Sequence, residues 1–147
     1  MISYLIDINV WLAMTWEGHP HHAQAAAWCD SADKSRLLFC RFTMMGLVRL
    51  LTNESVMGGS RVNLAEALAL YDRWRRDPRV EMALEPSTAE ALLRRALVRF
   101  HRLPATKALA DCYLVAFAEA VGARVVTFDK GLAGTARIRA VSCVLIG

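Results

Sequence analysis

Apolar residues along this chain fall into two rhythms. Short runs of strand length recur at residues 2–6, 36–40, 80–84, 124–128 and 140–146, and such runs suit strands buried on both faces of a parallel sheet. Elsewhere apolar residues return every three or four positions, the spacing of one helical face. Such a face is predicted through Val10, Leu12 and Met14, and, after His19-Pro20, through Ala23, Ala26, Ala27 and Trp28. Another runs through Met44, Leu47, Val48, Leu50 and Leu51, with Thr43 placed to cap it. Asn63 followed by Glu66 has capping-box spacing and opens a helix with Leu64, Leu68 and Tyr71 on one side. Met57-Gly58-Gly59-Ser60 marks a loop and Asp77-Pro78 a stop. Ser87 and Glu90 repeat the box ahead of Leu93, Ala96, Leu97 and Phe100. After Pro104, Thr106 begins a largely apolar helix that ends at Gly122, a left-handed capping position. No element is predicted over residues 130–139. Alternation of this kind predicts an α/β fold, a mostly parallel, doubly wound sheet of roughly five strands with helices on both faces. No repeat, linker or low-complexity tract interrupts it, so residues 1–147 read as one domain.

Composition narrows the class. With 147 residues, 55% hydrophobic and 22% charged, the chain can bury a single core and is too apolar for a disordered segment. No apolar run nears the roughly 20 residues a membrane helix needs. The first seven residues lack the basic leader and cleavage site of a secretory signal, so a cytoplasmic protein with no membrane partner is expected. Cys29, Cys40, Cys112 and Cys143 are far apart with no Cys-x-x-Cys pair, which argues against a zinc ribbon or redox dithiol and for free thiols. A formal charge of +4 suits a polyanion such as RNA, or an acidic protein segment, without requiring either. Arg73, Arg75, Arg76 and Arg79 form one basic cluster and Arg94, Arg95, Arg99 and Arg102 another; solvated helix faces account for both.

Three aspartates carry the chemistry. In open α/β sheets ligands bind beyond the carboxyl ends of the strands, where strand order reverses. Asp7 follows the first strand-like run and Asp129 the fourth, while Asp111 sits in the otherwise apolar stretch 108–118. Each has an ordinary structural reading. Asp7 or Asn9 can cap a helix, Asp111 can lie in a first turn favoured by the helix dipole, and Asp129 with Lys130-Gly131 can form a turn. Yet one fold would bring all three to the same edge. Converging carboxylates repel by roughly 3 kcal/mol per pair at about 5 Å and an effective dielectric of about 20. A divalent cation removes that cost, and hard oxygen ligands select Mg²⁺ or Mn²⁺ over zinc. Such a cation polarises a phosphodiester and lowers the pKa of bound water, so metal-assisted hydrolysis is the chemistry this set supports.

At these residues the chain resembles the PIN-domain family, and within it the VapC-type toxins. The likeness lies in Leu5-Ile6-Asp7-Ile8-Asn9-Val10-Trp11-Leu12, in residues 43–53, in residues 111–118 and in Val125-Val126-Thr127-Phe128-Asp129. His19-Pro20-His21-His22 and Asp77-Pro78-Arg79-Val80 extend it. The resemblance implies a three-layer α/β/α sandwich and Mg²⁺, or Mn²⁺, held by an acidic cluster. It also implies endonucleolytic cleavage of RNA by the toxin half of a toxin–antitoxin pair. It assigns Asp7, Asp111 and Asp129 as catalytic metal ligands and Asn9 and Thr127 as supporting polar groups, and it implies a VapB-like antitoxin partner and a homodimer. One position departs from the pattern: Gly46 stands where the family commonly has a glutamate. A second metal should therefore bind more weakly or not at all.

Other residues have plainer readings beside their functional ones. His19, His21 and His22 have no acidic or cysteine partner at ligand spacing and read as a helix-entry segment. Arg49 is placed to contact phosphate or an antitoxin carboxylate, or to serve as a surface residue. Trp11, Trp16, Trp28 and Trp74 read as core or dimer-face residues. Lys107 and His101 receive no chemistry. Phosphotransferases with an aspartyl nucleophile carry Asp-x-Asp after the first strand, and Asp7-Ile8-Asn9 lacks the second carboxylate. A domain that binds RNA or protein without cutting is favoured by Gly46, and a purely structural domain would use the aspartates as caps.

Overall fold

The apolar runs become five short strands, β1 (Ser3–Ile6), β2 (Arg36–Phe39), β3 (Val80–Met82), β4 (Arg124–Thr127) and β5 (Cys143–Leu145). The structure is a computed structural model that describes residues 1–105 and 107–147. All the strand pairings are parallel and the order is β3-β2-β1-β4-β5. From β1 the chain moves outward through β2 to β3, then crosses back to β4 and on to β5. Strand order therefore reverses between β1 and β4, where Leu5 lies beside Val125. In a sheet of this type that reversal opens a crevice at the carboxyl edge.

Helices cover both faces. Ile6, Leu37, Phe39 and Val126 point into a core shared with α1 (Ile8–Thr15), α2 (His22–Ser31), α3 (Arg41–Leu51) and α5 (Leu64–Arg75). Leu5, Leu38 and Val125 point the other way, against α7 (Lys107–Val121) and α8 (Lys130–Ile138). A short α4 (Glu54–Met57) follows α3, and α6 (Ala89–Leu97) packs on α7. The result is the three-layer α/β/α sandwich. Trp11 is fully buried and stacks on Phe39 at 3.7 Å between ring centroids. Trp74 meets Trp11 edge-on and its indole N–H donates to the Thr15 hydroxyl at 2.8 Å. Trp28 lies edge-on to Tyr4, so these three tryptophans belong to the core.

Several local expectations hold. Asn63 caps α5 by accepting from the Glu66 N–H at 2.8 Å, and Gly122, at φ +71°, follows the end of α7. The cysteines are free thiols. Others are corrected. The N-cap of α3 is Cys40, and Thr43 sits three residues in, its hydroxyl accepting from the Cys40 N–H at 2.9 Å. Ser87 does not cap α6: Thr88 stands there without a side-chain cap, and Glu90 pairs instead with Arg94 at 3.1 Å. Along α2 the buried line is Ala25 and Cys29, while Ala23 and Ala27 face outward. In α5 the buried residues are Ala67 and Tyr71, and Leu64 and Leu68 are exposed. Thr106 lies outside the described residues.

The largest miss is α8. Gly131 and Gly134 weaken its helical signal, but a parallel β4–β5 pair needs a crossover. Asp129 supplies the start by accepting from the Gly131 N–H at 2.7 Å and the Leu132 N–H at 3.3 Å. Burial of Leu132, Thr135 and Ala136 holds the helix to the sheet.

Candidate functional site

The crevice between β1 and β4 gathers the residues singled out from the sequence. Asp7 leaves β1 as the N-cap of α1, with one carboxylate oxygen accepting from the Ile8 N–H at 2.8 Å. Its other oxygen accepts from the Thr127 hydroxyl at 2.8 Å. That hydroxyl is fully buried and also accepts from the Asp129 N–H at 3.0 Å. One side chain at the end of β4 thus fixes the Asp7 carboxylate and the backbone at Asp129. The capping roles of Asp7 and Asp129 are real, and they do not exhaust either group: each keeps a second oxygen for another partner.

Asp111 approaches from α7. It stands four residues past Lys107, the first described residue of the helix, beyond the first turn where a carboxylate gains from the helix dipole. Its side chain is 15% exposed. Burial pushes its carboxyl above the usual aspartate range, and the Lys107 ammonium opposes that rise. Asp7 is raised as well, chiefly by burial, with Asp111 adding repulsion and the Thr127 and Ile8 hydrogen bonds acting against both. Burial thus disfavours the charged form of two neighbouring carboxyls, the kind of environment found at functional sites.

The residue that sequence reasoning passed over is Lys107. Its ammonium contacts Asp129 Oδ2 and lies 3.7 Å from Asp111 Oδ2. The three aspartates reach the same edge as two linked pairs, Asp7 with Asp129 through Thr127 and Asp111 with Asp129 through Lys107. Among the described residues no three His, Cys, Asp or Glu side chains form a ready cation site. The donor set of carboxylates without thiolate or imidazole is nonetheless the set a hard divalent cation takes. The signal available in sequence was the spacing of Lys107 to Asp111, one helical turn.

The remaining candidates sort by position. Asn9 is exposed in the first turn of α1, beside the crevice. Arg49 is exposed in the last turn of α3, about 12 Å along the helix axis from its start at the sheet edge. Gly46 is buried where α3 meets α1: a Cβ there would stand 2.8 Å from Ile8 Cγ1 and closer still to Cδ1. Ile8 therefore fills the space a longer side chain at position 46 would enter. His22 Nδ1 is bonded to the Ala13 carbonyl at 2.7 Å, and His19 Nδ1 accepts from the His21 N–H at 3.0 Å. These bonds belong to a helix entry, and the rings of His19 and His21 pack about Phe128.

Known proteins share this architecture and text. A model of the PIN domain matches residues 4–138. The chain is 42% identical over 130 residues to ribonuclease VapC41 of Mycobacterium tuberculosis, covering 85% of this chain and 88% of the relative. It is 30% identical over 139 residues to ribonuclease VapC39 of the same organism, covering 92% and 94%. Among solved structures, VapBC2 from Rickettsia felis superposes with a TM-score of 0.71 over 99% of this chain and 100% of that one, at 12% identity. M. tuberculosis VapC20, described as a sarcin–ricin loop cleaving toxin, does so with 0.67 over 89% and 93%, at 17% identity. The match to the PIN-domain model over residues 4–138, with the 42% identical relative, places this chain in the PIN-domain family.

Proposed function

We propose that residues 1–147 form one nuclease domain, a divalent-metal-dependent endoribonuclease that serves as the toxin of a toxin–antitoxin pair. The observation that carries this is the buried Thr127 hydroxyl joining Asp7 to Asp129 at the strand-order reversal, with Asp111 facing them across the crevice. Relatives named as VapC ribonucleases support the reaction. The proposed ligands are Asp7, Asp111 and Asp129, and the proposed ion is Mg²⁺, with Mn²⁺ able to replace it. Such an ion supplies a water of lowered pKa and positive charge against the scissile phosphate. The chain's own residues set the geometry. Thr127 holds the Asp7 carboxylate in one rotamer, and the first turn of α8 does the same for Asp129 through the Gly131 and Leu132 N–H groups. Asn9 offers an exposed amide beside the site for a water or phosphate oxygen.

The partners follow the same reading. RNA is the substrate, and a VapB-like antitoxin covers the crevice. Exposed Leu64 and Leu68 on α5 offer apolar surface for that partner or for a homodimer. Arg49, exposed in the last turn of α3, is the proposed contact for phosphate or antitoxin carboxylate. No described helix is long and apolar enough to cross a membrane, and the proposed place of action is the cytoplasm.

A purified sample incubated with structured RNA tests the proposal. Cleavage is expected with Mg²⁺, and it should vanish with a chelator and fall sharply in Asp7→Asn and Asp111→Asn. Undiminished cleavage in both variants would overturn the site assignment. A second reading, binding without cleavage, is favoured by the Ile8 side chain against Gly46, and metal-loaded wild-type protein that binds RNA and leaves it whole would establish it.

A further inference from the structure

Lys107 is poorly placed for a residue that only stabilises the fold. It opens the described part of α7, where a cation faces the positive end of the helix dipole. It precedes Asp111 by four residues, the weaker of the two orders for an ion pair along a helix. Its ammonium also hangs over the first turn of α8, where a Cβ on Gly131 would lie 3.7 Å from Nζ, a second helix N-terminus that repels it. What holds it is the pair of carboxylates, Asp129 in direct contact and Asp111 at 3.7 Å. Its side chain remains 60% exposed on a flexible four-carbon stem.

We infer that Lys107 is an exchangeable counter-ion. In the free protein it screens Asp111 from Asp129. When a divalent cation takes those carboxylates, the ammonium is displaced and turns outward to bind a non-bridging phosphate oxygen of the RNA strand. The inference rests on the metal-site reading above. It adds a phosphate contact and an internal competitor that weakens metal binding until RNA is present. The two helix N-termini that repel the ammonium also favour the incoming phosphate, since both present partial positive charge at the same edge.

Lys107→Met and Lys107→Arg separate this role from a structural ion pair. Calorimetric titration with Mn²⁺ in the absence of RNA should show several-fold tighter binding to Lys107→Met than to wild type, with Lys107→Arg close to wild type. Anisotropy of a fluorescent single-stranded RNA in Ca²⁺ should then show the opposite order. Lys107→Met should lose about tenfold in affinity, the scale of one charge-assisted hydrogen bond, and Lys107→Arg should keep it. The salt dependence of RNA binding to Lys107→Met should flatten by about 0.7 in log–log slope, one phosphate contact on a single strand. Thermal unfolding confirms that both variants are folded. If wild type binds Mn²⁺ and Lys107→Met binds it no more tightly, the counter-ion role is wrong and the metal site stands. If Mn²⁺ binds neither protein, the metal reading falls and takes this role with it. Tighter Mn²⁺ binding with unchanged RNA affinity and slope would overturn the phosphate contact.

Discussion

Asp77 at one edge of the sheet and the aspartates at the opposite edge face opposite electrostatic circumstances. At the amino edge, just before β3, Asp77 receives two hydrogen bonds from the Arg79 guanidinium, at 3.1 and 2.9 Å, and a third from the Arg79 N–H at 2.9 Å. Arg79 also reaches the Cys29 carbonyl at 2.7 Å, strapping the start of β3 to α2. Arg79 holds the Asp77 carboxyl below the ordinary range. At the carboxyl edge, Asp7 and Asp111 are pushed the other way by burial, with a single lysine nearby as partial compensation. A planar, multiply bonded partner produces a strap, and burial without such a partner leaves the carboxyls with raised affinity for a proton, the circumstance the proposed cation would relieve. The basic residues on the sequence thus divide: Arg79 is structural, while Arg73, Arg75 and Arg76 remain exposed.

Substitutions can break that contrast or sharpen it. Asp111→Asn should lower ribonuclease activity by about 10³-fold, the loss of several kcal/mol of charge stabilisation. Its melting temperature should hold or rise, because a buried repulsion has gone. A clear fall in melting temperature would put Asp111 in the same class as Asp77. Thr127→Val removes the hydroxyl that orients Asp7 and should weaken Mn²⁺ binding by about 10- to 100-fold, as for other groups that position metal ligands; calorimetry reads it directly. Arg79→Ala should do the reverse of Asp111→Asn. Urea denaturation should show about 2 kcal/mol less stability, from a charged hydrogen-bond network left without its donor, and turnover per folded molecule should be unchanged.

Acid titration gives the smallest effect and the most direct reading of the contrast. Asp77 binds its proton more weakly in the folded chain than in the unfolded one, so its contribution is full above pH 3.8 and is lost as pH falls below that value. Asp7 and Asp111 bind protons more tightly when folded. Their contribution is most favourable below pH 3.8 and fades as pH rises through their raised folded values. In metal-free buffer, urea midpoints should fall less steeply on acidification below pH 3.8 in Arg79→Ala than in wild type. The double variant Asp7→Asn, Asp111→Asn should lose the opposite slope above pH 3.8. Parallel profiles for all three proteins would erase the distinction between the two edges.

The sheet was readable because the central strands β1, β2 and β4 are largely buried on both faces and appear as short apolar runs. The edge strands β3, with exposed Glu81, and β5, with exposed Leu145, are less deeply covered. Helix α8 was not readable, since two of its nine residues are glycine and its cap and buried face act only once the sheet exists. The same division applies to the site. Asp7 and Asp129 stand at strand ends that sequence could place, and Asp111 was conspicuous within an apolar helix. Lys107 was hidden because its meaning lies across 22 residues, at Asp129. Gly46 was visible as a departure from the family pattern, but that Ile8 fills the space beside it depends on how closely α1 and α3 approach. The exposed Leu64 and Leu68 show the limit of periodicity: the pattern finds an apolar stripe and does not say whether this chain covers it.

The hydrogen bond from Thr127 to Asp7 joins positions 120 residues apart, and this ties competence to the completion of folding. Closing so long a loop costs entropy that only the finished β1–β4 pairing returns. A chain in which β1, β2 and β3 have formed but β4 has not docked holds Asp7 without its hydroxyl partner and leaves Asp129 elsewhere. Such a chain lacks the Asp7–Thr127–Asp129 arrangement, however native its first half. The arrangement at the carboxyl edge is thus set by the register of a single strand pair, β4 against β1.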